Sequence, residues 1–383
     1  MTRLPHAALA VLAAAPLASA PAAATDISTG AVDGLYHATL CRPLADALAR
    51  SRLDYRCTPS DSALETLQRI AADPRKLGFV PLDSLLIEGP QVGGAKAFAR
   101  VRSGDVRECL FGVSRNDALK TYGDLAANAA RLRFVLPPKA SASAAAFALI
   151  RQGDVTGIGK AGAVLHAEHI AEAIKLALSA DDTVAFFIAP PDPGSATFKS
   201  IPRLGGHVIA VLDRTILRQQ IDGQKIYFAE ETPVIQARWL KAGQRIVTAC
   251  TPTVLLTGAP ERVSDARSRQ DHVDMIATVQ GLKPEALLPK QGAAKRLWAR
   301  TREVSGASVE RLLGLSQRAR ERSQPYLESA KDAAGRAVEN SKPAFERAKK
   351  AGAEAYDKAK EKARELIERG KSADQTTETH KPQ

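Results

Sequence analysis

The chain has 383 residues, a net charge of +12 and four cysteines. Only 5% of its residues are aromatic, which argues against nucleic acid as a partner, since such surfaces interleave aromatic with basic side chains. The sequence contains no zinc-ligand spacing and no motif of an activated nucleophile or an acid–base pair. We therefore expect a binding protein that needs no cofactor, and not an enzyme.

The first 24 residues have the features of an export signal. Arg3 supplies the positive end, residues 7–17 form an apolar stretch, and Ala24 ends a run of small residues suited to cleavage. Residues 18–20 offer a second cleavage site, which the proline that follows disfavours. The apolar run is shorter than a membrane-spanning helix requires. The sequence thus predicts a periplasmic protein cleaved after Ala24.

From residue 25 onwards the chain alternates short strands with helices, which predicts βαβ units and a parallel sheet. In such sheets, ligands bind beyond the carboxyl ends of the strands, where helix N-termini point free amides towards an anion. Two polar loops, residues 29–30 and 60–62, fall at predicted strand ends. The predicted elements of this region are strands at 27–28, 53–57 and 77–80 and helices at 36–50 and 64–70.

The run Ser28-Thr29-Gly30 and the later Gly34-Leu35-Tyr36 resemble the opening of the TAXI-type solute receptors of TRAP transporters. Gly78-Phe79-Val80 is similar to the third strand of that family. The resemblance extends over residues 25–285 and implies an α/β fold of the two-lobed type 2 periplasmic binding protein class, with a hinge. It implies that lobe 1 comprises residues 25–130 and 240–285 and that lobe 2 comprises residues 131–239.

The resemblance further implies a small anionic solute, a carboxylate, that is delivered to a TRAP-type membrane permease. Hydroxyls and backbone amides at three helix starts would share the charge of the solute. For Ser141 and Ser143, an ordinary helix cap is the alternative interpretation. The ligand-binding residues that the resemblance implies are Thr29, Gly30, Tyr36, Ser60, Ser62, Ser141 and Ser143.

In an oxidising compartment, four cysteines can form two disulfides. Cys41 and Cys57 resemble a pair that occurs in many members of the same family. Cys109 and Cys250 each lie in an apolar, strand-like segment, and in the binding-protein fold these two strands belong to one lobe. A second disulfide between them is one interpretation, and two buried free thiols are the other.

Two histidines are the closest approach to a metal site in the sequence. His166 and His169 are three residues apart, with Glu168 between them, which predicts that both lie on one face of a helix. A third ligand is missing, so we expect no metal there.

Beyond residue 285 the composition changes to alanine, lysine, arginine and glutamate. Residues 291–383 carry 21 basic and 14 acidic side chains, a balance of +7 out of the +12 of the chain. Phe345, Tyr356 and Ile367 recur every eleven residues, which indicates a nearly straight helix with a thin apolar stripe. The sequence predicts a basic helical extension over residues 286–372 and a disordered tail over residues 373–383.

Two roles remain open for the extension, a solvated appendage and a contact with a membrane surface or the cell envelope through its basic face. The extension also suggests an alternative function for the whole chain. The protein would then be a scaffold or signalling protein of the envelope that keeps the binding fold and interacts through its tail. The second predicted loop, residues 60–62, lacks the glycine usual in the family, which favours this alternative.

Overall fold

A computed structural model describes most of the chain up to residue 322. The described residues are 24–31, 34–236, 243–283, 287, 302–304 and 306–322, with separate helical positions between 336 and 362. The export signal up to residue 23, the repeated residues Phe345, Tyr356 and Ile367, and the predicted tail from residue 373 lie outside this part. The chain forms two compact units, one up to Ser316 and one from Gln317. In the second unit, the described residues are helical.

The first half of the larger unit contains a parallel sheet of three short strands with a helix after each. The first helix begins with a π-helical turn at Tyr36–Cys41, and the second begins at the side-chain cap of Ser62. The strands are β1 (Thr25–Ser28), β2 (Tyr55–Thr58) and β3 (Leu77–Pro81), and the helices are α1 (Arg42–Arg50), α2 (Ala63–Ala72) and α3 (Leu82–Glu88).

The long strand β4 (Phe98–Ser114) leads into the second half of the unit. There the strands β5, β6 and β7 are parallel, with β5 in the middle. The further elements are α4 (Tyr122–Asn128), β5 (Arg133–Leu136), α5 (Ala142–Gly153), β6 (Ala163–His166), α6 (Ile170–Ala177), β7 (Thr183–Ala189), α7 (Ala196–Arg203), β8 (His207–Ala210), α8 (Arg214–Leu217), β9 (Gln220–Ile221), β10 (Gln224–Lys225) and β11 (Phe228–Ile235).

A second long strand, β12 (Gln244–Gly258), returns from the second half to the first. Its beginning pairs with β11 and its end pairs with β3, while β4 runs antiparallel beside it. The two α/β halves are therefore joined by two crossing strands, which gives the unit its two-lobed architecture. After β12, helix α9 (Ala266–Gly281) packs on the first half, strand β13 (Arg302–Glu303) pairs with β11, and helix α10 covers residues 306–316 of this unit.

One hydrophobic core extends through both halves. It joins Leu82 and Leu85 of α3 to Phe147 of α5, and these two helices are in contact. A second core lies between the sheet and helix α1 in the first half, and a third lies under α6 and α7 in the second half. The spacing of apolar residues predicts the buried faces of these helices, for example Leu44 and Leu48 of α1.

Both cysteine pairs are joined in the structure. Cys41 is bonded to Cys57, which ties the start of the first helix to β2. Cys109 is bonded to Cys250, which lies directly opposite on the neighbouring crossing strand. The structure therefore confirms the disulfide interpretation of the second pair, and these two thiols are not free.

The fold differs from the sequence-based predictions in three places. Two strands are predicted at 97–101 and 106–113, but β4 is continuous, because pairing with β12 continues past Gly104, whose φ is +83°. The edge strand β6 is missed because it is short and exposes Leu165, which weakens its pattern. The prediction that His166 and His169 share a helix face is wrong, because His166 ends β6 while His169 precedes α6.

Candidate functional site

The first predicted loop follows β1 and is held in place by the second. Thr29 is fully buried, and its hydroxyl lies 2.8 Å from Nδ1 of His37. Gly30 has a φ of +69°, a left-handed conformation that favours glycine. The Gly30 N–H donates to Oγ of Ser60 at 3.0 Å, and the Ser60 N–H donates to the Gly30 carbonyl at 3.1 Å. The two loops are therefore in direct contact.

The second predicted loop leads into α2. Ser60 is 3% exposed, and its hydroxyl also lies 2.8 Å from that of Thr66. Ser62 caps the helix, with its hydroxyl accepting the Glu65 N–H at 3.0 Å. The hydroxyls of both serines are thus engaged within the protein, while the first amides of α2 have no acceptor within their own helix.

The predicted residues of the second half lie at the start of α5. Ser141 caps this helix by accepting the Ala144 N–H at 3.3 Å, as the helix-cap interpretation expects. Ser143 is 3% exposed, and its hydroxyl accepts the Ile188 N–H at 3.1 Å, which anchors α5 to β7. Within the described part of the chain, no hydrogen bond joins Ser141 or Ser143 to the loops of the first half.

Tyr36 reaches further into the protein than the other predicted residues. Its ring stacks on Phe79, with 5.4 Å between the ring centroids. Its hydroxyl donates to a carboxylate oxygen of Glu108 and lies 2.7 Å from the hydroxyl of Thr253. Glu108 and Thr253 belong to the two crossing strands, so Tyr36 connects the first helix to the junction of the two halves.

This junction contains acidic residues that the sequence analysis missed. Asp83 is fully buried and accepts hydrogen bonds from the Tyr227 hydroxyl at 2.8 Å and from the Ser84 N–H at 2.7 Å. Glu108 is 6% exposed. In the sequence, Glu108 is the single acid of the apolar run 107–113, and Asp83 is an acid among leucines.

Burial changes the acidity of these carboxyl groups. It raises the pKa of Asp83 to about 6, despite the hydrogen bond from Tyr227. Burial also raises the pKa of Glu108 to about 7, and the negative charge of Asp83 adds to that rise. The pKa of Glu88, at the end of α3, is raised to about 7 for the same two reasons. Burial is thus the main cause of all three shifts, and the charge of Asp83 adds to two of them.

One group of possible metal ligands is present among the described residues, and it lies away from this junction. Glu168, His169 and Glu172 have ligand atoms within 4.8 Å of one another, at the surface of the second half. His166 does not take part, because its Nδ1 lies 2.9 Å from the Pro137 carbonyl oxygen.

None of the helices in the described segments is both long and apolar enough to cross a membrane.

No protein-family model matches the sequence, and no curated protein is significantly similar to it. Solved structures similar to this one include MatC from Rhodopseudomonas palustris with bound malate, at a TM-score of 0.43 and 11% identity over 80% of this chain and 99% of that one. An adipate-bound protein from R. palustris has a TM-score of 0.41 and 12% identity over 79% and 98% of the two chains. A TctC solute-binding protein from Polaromonas has a TM-score of 0.39 and 12% identity over 80% and 98%. These values are too low to assign a family or a ligand to this chain.

Proposed function

We propose that the protein is a periplasmic solute-binding protein of the TAXI type that captures a small carboxylate solute for a TRAP-type permease. The observation that carries the proposal is the connection of two α/β halves by the crossing strands β4 and β12. Two lobes connected in this way can close like a hinge over a solute. The export signal before residue 25 would place the protein in the periplasm.

The carboxylate would be bound at the helix starts that the sequence analysis selected. Ser62 and Ser141 cap α2 and α5. The first amides of a helix have no acceptor within that helix, so an anion could accept hydrogen bonds from them. Ser60 holds Gly30 in place, so we assign it a positioning role. Binding would need no covalent step, since hydrogen bonds from amides distribute the negative charge.

A thermal-shift screen of the purified protein against amino acids and dicarboxylates tests the proposal. A ligand at a hundred times its dissociation constant adds about 2.7 kcal/mol to the free energy of unfolding, which is readily seen as a raised midpoint. Ser141→Leu should abolish the shift. Ser195→Leu is the matched control, because Ser195 caps α7 with the same geometry but is not among the proposed ligand residues. Equal shifts in both variants, or no shift with any compound, would refute the proposal.

The envelope scaffold is the second candidate, and the core shared by the two halves favours it. Leu82 and Leu85 of α3 lie in one hydrophobic core with Phe147 of α5, so opening of the lobes would expose apolar surface. A receptor should open locally, so that the amides of α3 and α5 exchange with deuterium faster than those of β7. In a scaffold, the amides of α3, α5 and β7 should all exchange at the rate of global unfolding.

The partner of a scaffold would be an envelope surface that contacts the tail. Removal of residues 291–383 should then release the protein from the envelope.

A further inference from the structure

A surface cavity lies in the first half, at the edge of the sheet opposite to the loops 29–30 and 60–62. It adjoins the beginnings of β1 and β2, whereas those two loops follow the ends of the same strands. Helix α9 forms another wall, so we call it the α9 cavity. Its volume is about 270 Å³, and the residues that line it include Arg52, Asp54, Tyr55, Ser268, Asp271 and His272.

His272 of α9 is the one buried residue of this lining, with 2% of its surface exposed. Its Nε2 lies 2.9 Å from the carbonyl oxygen of Gly258, so this nitrogen is assigned the hydrogen. Nδ1 is then an acceptor, and it is buried without a hydrogen-bond partner. Buried polar atoms without a partner are rare in folded proteins and call for an explanation. A ligand hydroxyl that donates to Nδ1 would supply it.

The charged groups around the α9 cavity are of both signs. Arg52 and Arg75 are positive and Asp54 and Asp271 are negative, so these four groups have no net charge. Arg75 is already paired with Asp73. Within the described part of the chain, the guanidinium of Arg52 and the carboxylates of Asp54 and Asp271 have no hydrogen-bond or ion-pair partner. These three groups are therefore available to a ligand.

Arg52 reaches the α9 cavity from an unfavourable backbone conformation. Its φ is +63°, in the left-handed region that favours glycine. The position follows the end of α1, where the Arg52 N–H donates to the carbonyl of Ala49 at 2.9 Å. Glycine is the usual residue at such a helix end. An arginine there costs stability, and a role of its side chain in the α9 cavity would explain why the position is not glycine.

The mixture of groups selects the kind of ligand. An anion would be repelled by the two carboxylates, and a cation would be repelled by the two guanidinium groups. A hydroxyl both donates and accepts hydrogen bonds. A neutral polyol can therefore donate to the carboxylates and to Nδ1 of His272 while it accepts from Arg52. Tyr55 and Leu53 add apolar surface, against which the C–H groups of a sugar ring can pack.

We propose that the α9 cavity is a saccharide-binding site that takes one neutral sugar ring. Its volume is below the usual range for drug-sized ligands, which favours a single ring. The proposal goes beyond the receptor function and does not depend on it, since the residues that line the α9 cavity belong to the first half and to α9. The sugar would be either free in solution or part of an envelope glycan, and the chemistry of recognition is the same for both.

Calorimetric titration of the full chain with D-glucose and with N-acetyl-D-glucosamine tests the site. We expect at least one of the two sugars to bind, and we expect neither glycine nor glutarate to displace it. Arg52→Gly should weaken the binding of the sugar roughly tenfold, the effect of losing one hydrogen bond to a charged group. Asp271→Asn should weaken it by a similar factor. Displacement of the sugar by glycine would assign the α9 cavity to a zwitterion and overturn the proposal.

A stability readout separates a binding role of Arg52 from a structural one. Arg52→Gly relieves the left-handed backbone, so it should raise the thermal midpoint of the free protein while it lowers the affinity for the sugar. Asp222→Gly is the matched control, because Asp222 has a φ of +50° and does not line the α9 cavity. It should raise the midpoint and leave the affinity unchanged. If neither sugar binds, or if Arg52→Gly binds the sugar as tightly as the unaltered protein, the proposal is wrong. The receptor function is tested separately by the dicarboxylate screen.

Sedimentation with insoluble peptidoglycan distinguishes the two sources of the sugar. Retention of the full chain in the pellet that is lost in Arg52→Gly and kept in Asp222→Gly would assign an envelope glycan. Binding of a free sugar without such retention would assign a free saccharide. Both results support the site, and the comparison of the two glycine variants excludes a non-specific contact of the basic tail with the glycan.

Discussion

The hydroxyl of Tyr227 donates a hydrogen bond to Asp83 at 2.8 Å, and both side chains are fully buried. Asp83 lies in the first turn of α3 in the first half, whereas Tyr227 precedes β11 in the second half. This bond therefore fastens the two halves to each other at the junction where the two strands cross. The bond therefore opposes a separation of the two halves at this point.

Tyr227→Phe should lower the free energy of unfolding by about 1–3 kcal/mol. The variant removes the donor and leaves a buried carboxylate oxygen of Asp83 without its partner. Urea denaturation measures the effect. Tyr55→Phe is the control, because the Tyr55 hydroxyl bonds to the Arg75 carbonyl at an exposed site, where water replaces the lost partner. Equal losses in the two variants would contradict the fastening role of Tyr227.

The free energy of unfolding should fall as the pH rises from 5 to 8. The pKa of Glu108 is about 7 in the folded protein against an ordinary 4.5, and that of Asp83 is about 6 against 3.8. Between these limits the folded state binds more protons than the unfolded state, so each rise in pH favours unfolding. The shift of Glu108 alone corresponds to roughly 3 kcal/mol.

Denaturation at several pH values tests this dependence, and Glu108→Gln should flatten it. Glu231→Gln is the control and should leave it unchanged, because Glu231 is a partly exposed acid of β11 that is paired with Arg245. Below about pH 4, Asp26 has the opposite effect on the free energy of unfolding. Its pKa is lowered to about 2 although burial raises it, because Arg56 and Lys76 bond to the carboxylate, so its stabilisation is lost as the pH falls below about 4. A stability that increases from pH 5 to pH 8 would contradict the raised pKa values of Asp83 and Glu108.

The two disulfides should contribute unequally to stability. Cys109 and Cys250 are 141 residues apart in sequence, whereas Cys41 and Cys57 are 16 apart. Closing the longer loop restricts the unfolded chain more, by the chain-entropy estimate nearly 5 kcal/mol against about 3. Replacing both cysteines of each pair by alanine and measuring urea denaturation gives the comparison. If removal of the Cys41–Cys57 disulfide lowers the free energy of unfolding more than removal of Cys109–Cys250, then interactions in the native state determine the contribution of a disulfide, and chain entropy does not.

Gly123→Ala should loosen the packing of α4 against residues 306–316 of α10. An added Cβ at Gly123 would lie 2.0 Å from the carbonyl oxygen of Ser316, a backbone atom that cannot move aside alone. We expect a lower thermal midpoint and faster proteolytic cleavage within residues 306–316. Gly314→Ala is the control within α10, where a Cβ meets nothing within 4 Å and alanine favours the helix by up to 1 kcal/mol. Unchanged proteolysis in Gly123→Ala would refute this contact.

The sequence by itself determined the elements whose signals are local. The apolar spacing of Leu44 and Leu48 predicts the buried face of α1, and the helix-cap interpretation of Ser141 is confirmed at the start of α5. These features depend on residues within one or two helical turns, so periodicity and capping rules find them. The alternation of strands with helices likewise predicted the α/β class.

Only the tertiary structure decided what meets at the junction. Asp83 and Tyr227 are 144 residues apart, and the neighbours of Glu108 depend on the register of β12 against β4. Pairing across Gly104 also made β4 one strand where composition suggests two. Burial, and not residue type, raised the pKa of the acids. No local pattern encodes such contacts, since they arise only when distant segments pack into one core.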